Sequence, residues 1–334
     1  MKRFKCPCGG QVFFDNHQCL SCGTSLGFDP GSMTMMPADG SNGLHRCENG
    51  VQHDVCNWLR PAYSEHPLCF GCQFNRTIPN LSLDGNEGRW AVLEEAKKRL
   101  FFTLIRLGVP LTNGWQDPER GLLLDFLEDS RSKPGVYPES FVGTGYLGGV
   151  ITINALEADD VARAAVRAEL RESYRTVLGH MRHESGHYYW ARLDPNDALR
   201  AEFISVFGDE TRDYSGALEL HYENGPPDGW REFYISAYAS AHPSEDWAET
   251  WGHYLHIYDA LETAAAQGLI PTDPADMTIG ERISTWQRLS IALNEINRSI
   301  GRGDAYPFVI NSMVASKLAF VDRVISQLRI PSTG

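Results

Sequence analysis

The chain has 334 residues and a formal net charge of −13, with 42% hydrophobic and 22% charged residues. This composition is ordinary for folded domains and excludes a disordered or collagen-like chain, while the length suggests two domains or three small units. No run of residues reaches the roughly 18 apolar positions of a membrane span. The basic start of the chain is not followed by an apolar stretch, so we expect no secretory signal and a cytoplasmic location.

The negative charge is unevenly distributed. Residues 1–80 contain six Lys/Arg and six Asp/Glu, so this segment is neutral and the rest of the chain carries the whole excess. Broad binding to nucleic acid needs a basic face that engages phosphates. We therefore expect neither a nucleic-acid partner nor a membrane partner.

All eight cysteines lie between Cys6 and Cys72. Clustered cysteines in a cytosolic chain are more often metal ligands than disulfides, and Zn²⁺ accepts four thiolates in a closed tetrahedral site. The spacing predicts two structural zinc sites, one formed by Cys6, Cys8, Cys19 and Cys22 and one by Cys47, Cys56, Cys69 and Cys72. Free thiols, disulfides and an iron–sulfur cluster are the alternatives.

The second cysteine site is the less certain in its ligands, because Cys47 and Cys56 are far apart for a metal knuckle, and His45 or His53 could replace one of them. Closed four-thiolate sites are structural. The cysteine region also has few large apolar residues with which to build a core. We therefore expect a zinc-stabilised folding or docking region, able to bind a protein partner, and no catalysis there.

Apolar residues recur at helical spacing from residue 86 to residue 107, which predicts an amphipathic helix that Gly108 and Pro110 end. The glycine-led segment 143–154 predicts a strand, and its part from residue 148 onward could pair with an extended peptide as an edge strand does. An ordinary core strand is the equal alternative.

The second half of the chain is predicted to be mostly helical. Asp159 and Asp160 can cap a long helix that continues to about residue 191. Residues 194–230 are rich in turn residues and predict a long connection. Residues 278–299 and 309–329 predict two amphipathic helices that close the chain.

The predicted long helix contains His183-Glu184-Ser185-Gly186-His187. Positions i and i+4 share one face of a helix, so His183 and His187 can bind one metal ion. Glu184 beside the open metal position can take a proton from metal-activated water and pass it to a leaving amine. The motif is short enough to occur by chance, and a third ligand is needed to support it.

The third ligand is absent from the residues directly after the motif, where a metzincin would have a glycine and a third histidine and this chain has Trp190 and Leu193. The best source is a later helix that begins at Pro243. Its Glu245 and Glu249 are one turn apart, so one can bind zinc while the other orients a ligand histidine through its second nitrogen.

The two motifs together resemble the gluzincin metallopeptidases, and especially their lethal-factor-like branch. The resemblance rests on the HExxH motif and on Glu245-Asp-Trp-Ala-Glu249-Thr-Trp. It implies Glu245 as third ligand and Glu249 as support for a ligand histidine. It also implies that Tyr238, seven residues before Glu245, stabilises the oxyanion, with Tyr234 as the alternative.

The chain departs from the lethal-factor pattern at Asp246, where an aromatic residue is common, and in the longer gap between the two motifs. Asp246 or Glu249 therefore stays open as third ligand. Over its whole length the chain is similar to the bacterial family of zinc-binding metallopeptidases that carry an N-terminal zinc ribbon. The resemblance names no substrate.

These features predict an α+β protein with a zinc-ribbon region, residues 1–80, and a zincin-like metallopeptidase domain of a small sheet plus helices, residues 81–334. The expected activity is zinc-dependent hydrolysis of a peptide or isopeptide bond, with Glu184 as general base, one catalytic zinc ion and two structural ones. The alternative is a non-catalytic zinc-ribbon adaptor whose peptidase-like domain binds a partner. The presence of Glu184 favours the enzyme, because a binding module has no need of a base between two ligands.

Overall fold

The computed structural model describes residues 2–132, 135–137, 141–169, 174–193 and 196–329. The chain divides into two compact units, the first made of Met1–Leu170 with Thr176–Met181 and the second of Arg171–Arg175 with Arg182–Gly334. The secondary structure is mixed α+β, as predicted. Among the described residues no helix has both the length and the apolar character of a membrane span.

The first unit begins with three short antiparallel strand pairs. They are β1 (Phe4–Lys5) with β2 (Gln11–Val12), β3 (Leu26–Asp29) with β4 (Thr34–Pro37), and β5 (Leu44–Arg46) with β6 (Leu59–Pro61). A one-turn helix α1 (Glu48–Gln52) lies between β5 and β6. Strands of two to four residues form too few ladder hydrogen bonds to be stable by themselves.

The cysteine region nevertheless has an apolar core, so the prediction that it has too few large apolar residues to build one is wrong. Phe14 lies at the centre of an aromatic cluster, with its ring centroid 4.9 Å from Phe28, 5.3 Å from Phe102 and 6.4 Å from Trp58. Phe14, Phe28 and Trp58 belong to the cysteine region itself, and Phe102 is added from the helix that follows it.

That helix is α2 (Asn86–Leu107), and its bounds confirm the prediction. It ends because Gly108 takes the left-handed conformation (φ 70°) and its N–H caps the carbonyls of Leu104 and Ile105. Leu93, Leu100 and Leu104 are fully buried along its inner face.

A four-stranded sheet completes most of the first unit. Its strands are β7 (Asn75–Thr77), β8 (Leu123–Leu127), β9 (Gly145–Leu147) and β10 (Val150–Asn154), in the order β7-β8-β10-β9. Strand β8 is parallel to β7 and β10, and β9 is antiparallel to β10.

The single strand predicted over 143–154 is instead the β9–β10 hairpin. Gly148 and Gly149 have φ angles of 55° and 85°, which suits a two-residue turn with both residues in the left-handed region. Strand β10 has a neighbour on each side, so it presents no free edge. The expectation that it pairs with a peptide substrate is therefore wrong, because β9 already occupies that edge.

The predicted long helix is two helices, α3 (Asp160–Glu169) and α4 (Val177–Arg192). Residues 174–176 between them are not helical, and residues 170–173 lie outside the described part of the chain. Glu169 is described in its backbone alone.

The predicted connection 194–230 is also wrong over most of its length. It contains α5 (Asp197–Phe207), which Asn196 caps, and α6 (Tyr214–Asn224), which Asp213 caps. The remaining helices are α7 (Pro243–Gln267), α8 (Ile279–Ser299) and α9 (Ser312–Leu328). Helix α7 is the core of the second unit, and α8 and α9 confirm the two predicted closing helices.

Candidate metal centre

The eight cysteines form two clusters of four, with the membership that the spacing predicts. The Sγ atoms of Cys6 and Cys22 are 3.6 Å apart, and those of Cys8 and Cys19 are 3.7 Å apart. In a tetrahedral zinc site with Zn–S bonds of 2.3 Å, sulfur atoms are separated by about 3.8 Å. The first cluster therefore fits a closed zinc site.

The second cluster fits the same test, since the Sγ atoms of Cys56 and Cys69 are 3.6 Å apart. Hydrogen bonds from the other three thiols lower the pKa of Cys47, which favours a thiolate at this position. Neither alternative ligand belongs to this group of four. His53 pairs with Glu87 at 3.0 Å, and His45 lies against Gly40.

The two clusters differ in burial. In the first, Cys8 and Cys22 are exposed, whereas all four cysteines of the second are buried. Beside the second cluster a fully buried ion pair joins Lys97 Nζ to Glu94 Oε2 at 2.7 Å. Burial opposes the charge of Lys97, but the charges of Glu94 and Cys72 outweigh it and raise the lysine pKa. Lys97 thus supplies a positive charge next to a group of thiolates, a role that its helical position did not reveal.

The HExxH motif lies in α4, and its two histidines converge with one glutamate of α7. His183 Nε2 is 3.2 Å from His187 Nε2, and Glu245 approaches both, with Oε2 3.0 Å from His183 Nε2 and Oε1 3.4 Å from His187 Nε2. Glu245 is only 1% exposed, and its Oε2 has no hydrogen-bond partner. A buried carboxylate oxygen without a partner, facing two imidazole nitrogens, is the arrangement that a divalent cation would satisfy.

Glu249 lies one turn further along α7 and accepts a hydrogen bond from His183, with its Oε1 2.8 Å from Nδ1. This contact fixes the ring so that Nε2 faces the candidate metal position. Burial lowers the pKa of His183, but the nearby carboxylates of Glu245 and Glu249 outweigh that effect and raise the pKa well above its ordinary value. Burial by itself would raise the pKa of Glu249, but the contact with His183 outweighs burial and lowers the pKa to about 2.

Asp246 points away from the histidines. Its Oδ2 is 2.5 Å from Lys317 Nζ, and both side chains are buried. The structure therefore brings Glu245 to the histidines, with Glu249 behind His183, and leaves Asp246 in an ion pair with α9.

Close packing of α7 on α4 sets this geometry. Trp247 donates its indole N–H to the carbonyl of Gly186 at 2.8 Å, and Trp251 donates to Ser185 Oγ at 2.9 Å. A Cβ at Gly186 would lie 3.1 Å from Ala248 Cα, which is tighter than normal packing allows. The glycine inside the motif is therefore needed for helix contact.

The remaining residues implied by the resemblance have distinct positions. Glu184 is largely buried in the same turn as the two histidines. The Tyr238 ring is 5.9 Å from the His183 ring, and burial together with the charge of Glu245 raises its pKa, so it stays a hydrogen-bond donor. Tyr234 instead lies under Lys317, whose Nζ is 4.4 Å from the ring centroid.

Sequence reasoning missed one contact of the candidate ligand. Tyr214 of α6 donates its hydroxyl to Glu245 Oε1 at 2.7 Å. No signal pointed to it, because Tyr214 lies in the segment that was predicted as a connection. His242 is the buried N-cap of α7, where its Nδ1 accepts a hydrogen bond from the N–H of Ser244.

His253 lies on the same helix as Glu245 but does not join the candidate metal centre. Its Nδ1 is 2.9 Å from the Tyr306 hydroxyl, and burial lowers its pKa to about 4. These contacts make His253 a structural histidine of the second unit.

Comparisons with known proteins cover almost the whole chain. A family described as "Putative zinc-binding metallo-peptidase" matches residues 86–324, and a zinc-ribbon domain family matches residues 3–83. An uncharacterized protein of Mycobacterium bovis (strain ATCC BAA-935 / AF2122/97) is 41% identical over 338 aligned positions, covering 98% of this chain and 96% of its own length. Uncharacterized proteins of Mycobacterium tuberculosis strains CDC 1551 and H37Rv match with the same identity and coverage. No solved structure gives a significant match.

Proposed function

The chain belongs to this family of zinc-binding metallopeptidases and carries its zinc-ribbon domain in front, and on that basis we propose that it hydrolyses peptide or isopeptide bonds. The enzyme would be a gluzincin, with His183, His187 and Glu245 as the ligands of one catalytic zinc ion. The observation that carries the proposal is the convergence of these three side chains around an oxygen of Glu245 that lacks a hydrogen-bond partner.

Each role follows from the position of a side chain. Zinc bound by the three ligands would act as a Lewis acid toward a peptide carbonyl and would acidify water. Glu184 would take a proton from water and deliver it to the leaving amine. Tyr238, which stays protonated, would donate a hydrogen bond to the developing oxyanion. Glu249 would hold the ring of His183 in place.

The cysteine clusters have a different role in this proposal. Four thiolates around each of two zinc ions leave no coordination position for a substrate. We assign them to the folding of the zinc ribbon and to docking a protein partner. Eight unpaired cysteines also suit a reducing compartment, so a cytoplasmic location is part of the proposal.

A metal count combined with a cleavage assay tests the proposal. We expect about three zinc ions per purified chain, and two in His183→Ala. Cleavage of a mixed peptide library should fall by about 10²–10⁴-fold in Glu184→Gln, which keeps all three metals because both histidines remain.

Two results would contradict the proposal. A wild-type count of two, unchanged by His183→Ala, would remove the catalytic site. A count of three without any cleavage above that of Glu184→Gln, across peptide and isopeptide substrates, would favour the adaptor hypothesis instead.

A further inference from the structure

Helix α6 differs from the other helices of the second unit in its burial. None of its residues, from Tyr214 to Asn224, is fully buried, so the helix adds little to the apolar core. Its attachment to the second unit therefore depends on a few specific contacts. Segments of this kind open at a much lower free energy than the whole fold does.

Glycines with left-handed backbone angles lie on both sides of α6. Gly208, which ends α5, has φ 101°, and Gly225, directly after α6, has φ 76°. Side chains at either position would strain the backbone. Glycine thus occupies the two positions at which the backbone dihedral angles would have to change if α6 moved as a hinged segment.

The contacts of α6 are made with the candidate metal centre itself. At its start, the Tyr214 hydroxyl donates to Glu245 Oε1 at 2.7 Å, and the ring packs edge-on against His242 at 5.1 Å. Near its end, the ring of His221 is 5.9 Å from the ring of Tyr238. Both ends of the helix therefore touch residues that the proposed reaction uses.

The Tyr214 contact is the strongest of these. A neutral hydroxyl that donates to a buried carboxylate forms a charge-assisted hydrogen bond. A bond of that kind shifts an opening equilibrium by roughly tenfold or more. A helix without buried residues has few other interactions to replace it.

We propose that α6 is a lid over the candidate metal centre and that Tyr214 is its latch. The lid opens by rotation at Gly208 and Gly225, and opening breaks the Tyr214–Glu245 hydrogen bond. While the lid is closed, Tyr214 acts as a positioning residue. It holds Glu245 Oε1, so that Oε2 faces the histidines. The inference rests on the proposed function only in that the opening would admit a substrate; the latch itself is a property of the fold.

Hydrogen exchange of the zinc-loaded full chain tests the lid without any substrate. In Tyr214→Phe, amide protection across residues 214–224 should fall roughly tenfold, while protection of α7 stays unchanged. The matched control is Ser215→Ala, which removes an exposed hydroxyl from the same helix and should leave protection as in the wild type. Phenylalanine keeps the ring contact with His242, so the variant should fold.

Zinc transfer to a coloured chelator gives a second measurement. One kinetic phase, absent from His183→Ala, reports zinc release from the His/Glu site. Its rate should rise about tenfold in Tyr214→Phe, because the lid is then open more of the time and shields the metal less. A variant with lower zinc affinity but unchanged α6 protection would overturn the lid and leave Tyr214 with positioning alone.

The lid and the proposed function can fail separately. Wild-type α6 amides that exchange only together with those of α7 would overturn the lid, even if Glu184-dependent cleavage is found. A tenfold loss of α6 protection in Tyr214→Phe would support the lid even if no peptide is cleaved.

Discussion

The cysteine clusters and the His/Glu site offer metals two different environments. Each cysteine cluster supplies four ligands of one kind, and the buried Lys97–Glu94 ion pair lies beside the second cluster. The His/Glu site brings together three candidate ligands, with Glu184 on the same helix as the histidines and with Tyr238 and Tyr214 beside them. A closed shell of four ligands stabilises a fold, whereas an incomplete shell with a base and a donor beside it is suited to chemistry.

The two regions also differ in the interactions, other than metal binding, that stabilise them. Around the cysteines, an aromatic cluster centred on Phe14 supplements the metal sites. Around the His/Glu site, two tryptophans of α7 fix the helix contact by hydrogen bonds to α4. Four substitutions test this contrast.

The largest effect is expected from Cys56→Ser. This change leaves a buried four-ligand site one thiolate short, and structural zinc contributes on the order of 10 kcal/mol to folding. We expect the loss of one zinc ion and rapid proteolysis within residues 1–80. His183→Ala is the control, since it should also lose one zinc ion yet keep those residues protease-resistant. A Cys56→Ser protein with full metal content and full resistance would show that this cluster is not a zinc site.

The next effect is expected from Tyr238→Phe, which removes the proposed oxyanion donor and leaves the three candidate zinc ligands in place. Hydrolysis should fall by about 10²–10³-fold, with three zinc ions retained. Tyr234→Phe provides the matched control, because Tyr234 lies under Lys317 and its hydroxyl should matter little to the rate. If both variants lost the same factor in hydrolysis rate, the assignment of Tyr238 as the oxyanion donor would be contradicted.

A smaller effect is expected from Glu249→Gln. The amide cannot hold the His183 ring as an ionised carboxylate does, so zinc affinity of the His/Glu site should fall by about 10–100-fold. Competition with a chelator of known affinity measures it. The exposed Glu65→Gln serves as control, and the two cysteine sites should keep their zinc in both variants. An unchanged affinity would mean that the His183–Glu249 contact does not support metal binding.

The smallest effect is expected from Gly186→Ala. The added methyl group would meet the backbone of α7, so we expect a loss of about 1–3 kcal/mol in the free energy of unfolding. Gly280→Ala, in a helix where nothing lies within 4 Å of the added atom, should instead stabilise by up to about 1 kcal/mol. Thermal unfolding measures the change in unfolding free energy of both variants. A change of the same sign in both would contradict the close-packing role of Gly186.

Periodicity predicted three helices that bury one face, and it failed for a helix that buries none. Helices α2, α8 and α9 follow their apolar patterns closely. Helix α6 could not be found this way, because it has no buried face and therefore no apolar period. Helix α5 did carry a signal, an Asn196 cap followed by buried Leu199, Phe203 and Phe207 at four-residue intervals, and the many turn residues around it obscured that pattern.

Local spacing alone determined the closely spaced cysteine pairs, such as Cys19 with Cys22, and the pairing of His183 with His187. Cysteine knuckles are turns of a few residues, and i, i+4 positions share a helix face whatever surrounds the helix. These contacts depend only on nearby backbone geometry, so the sequence was sufficient for them.

Tertiary structure decided which carboxylate meets the histidines. Glu245, Asp246 and Glu249 lie within two turns of α7, and the sequence does not state how that helix is rotated. The tight contact at Gly186 and the attraction of Asp246 to Lys317 set the rotation, which turns Glu245 toward His183 and His187. The Tyr214 contact was decided in the same way, because it joins residues from separate helices that only packing brings together.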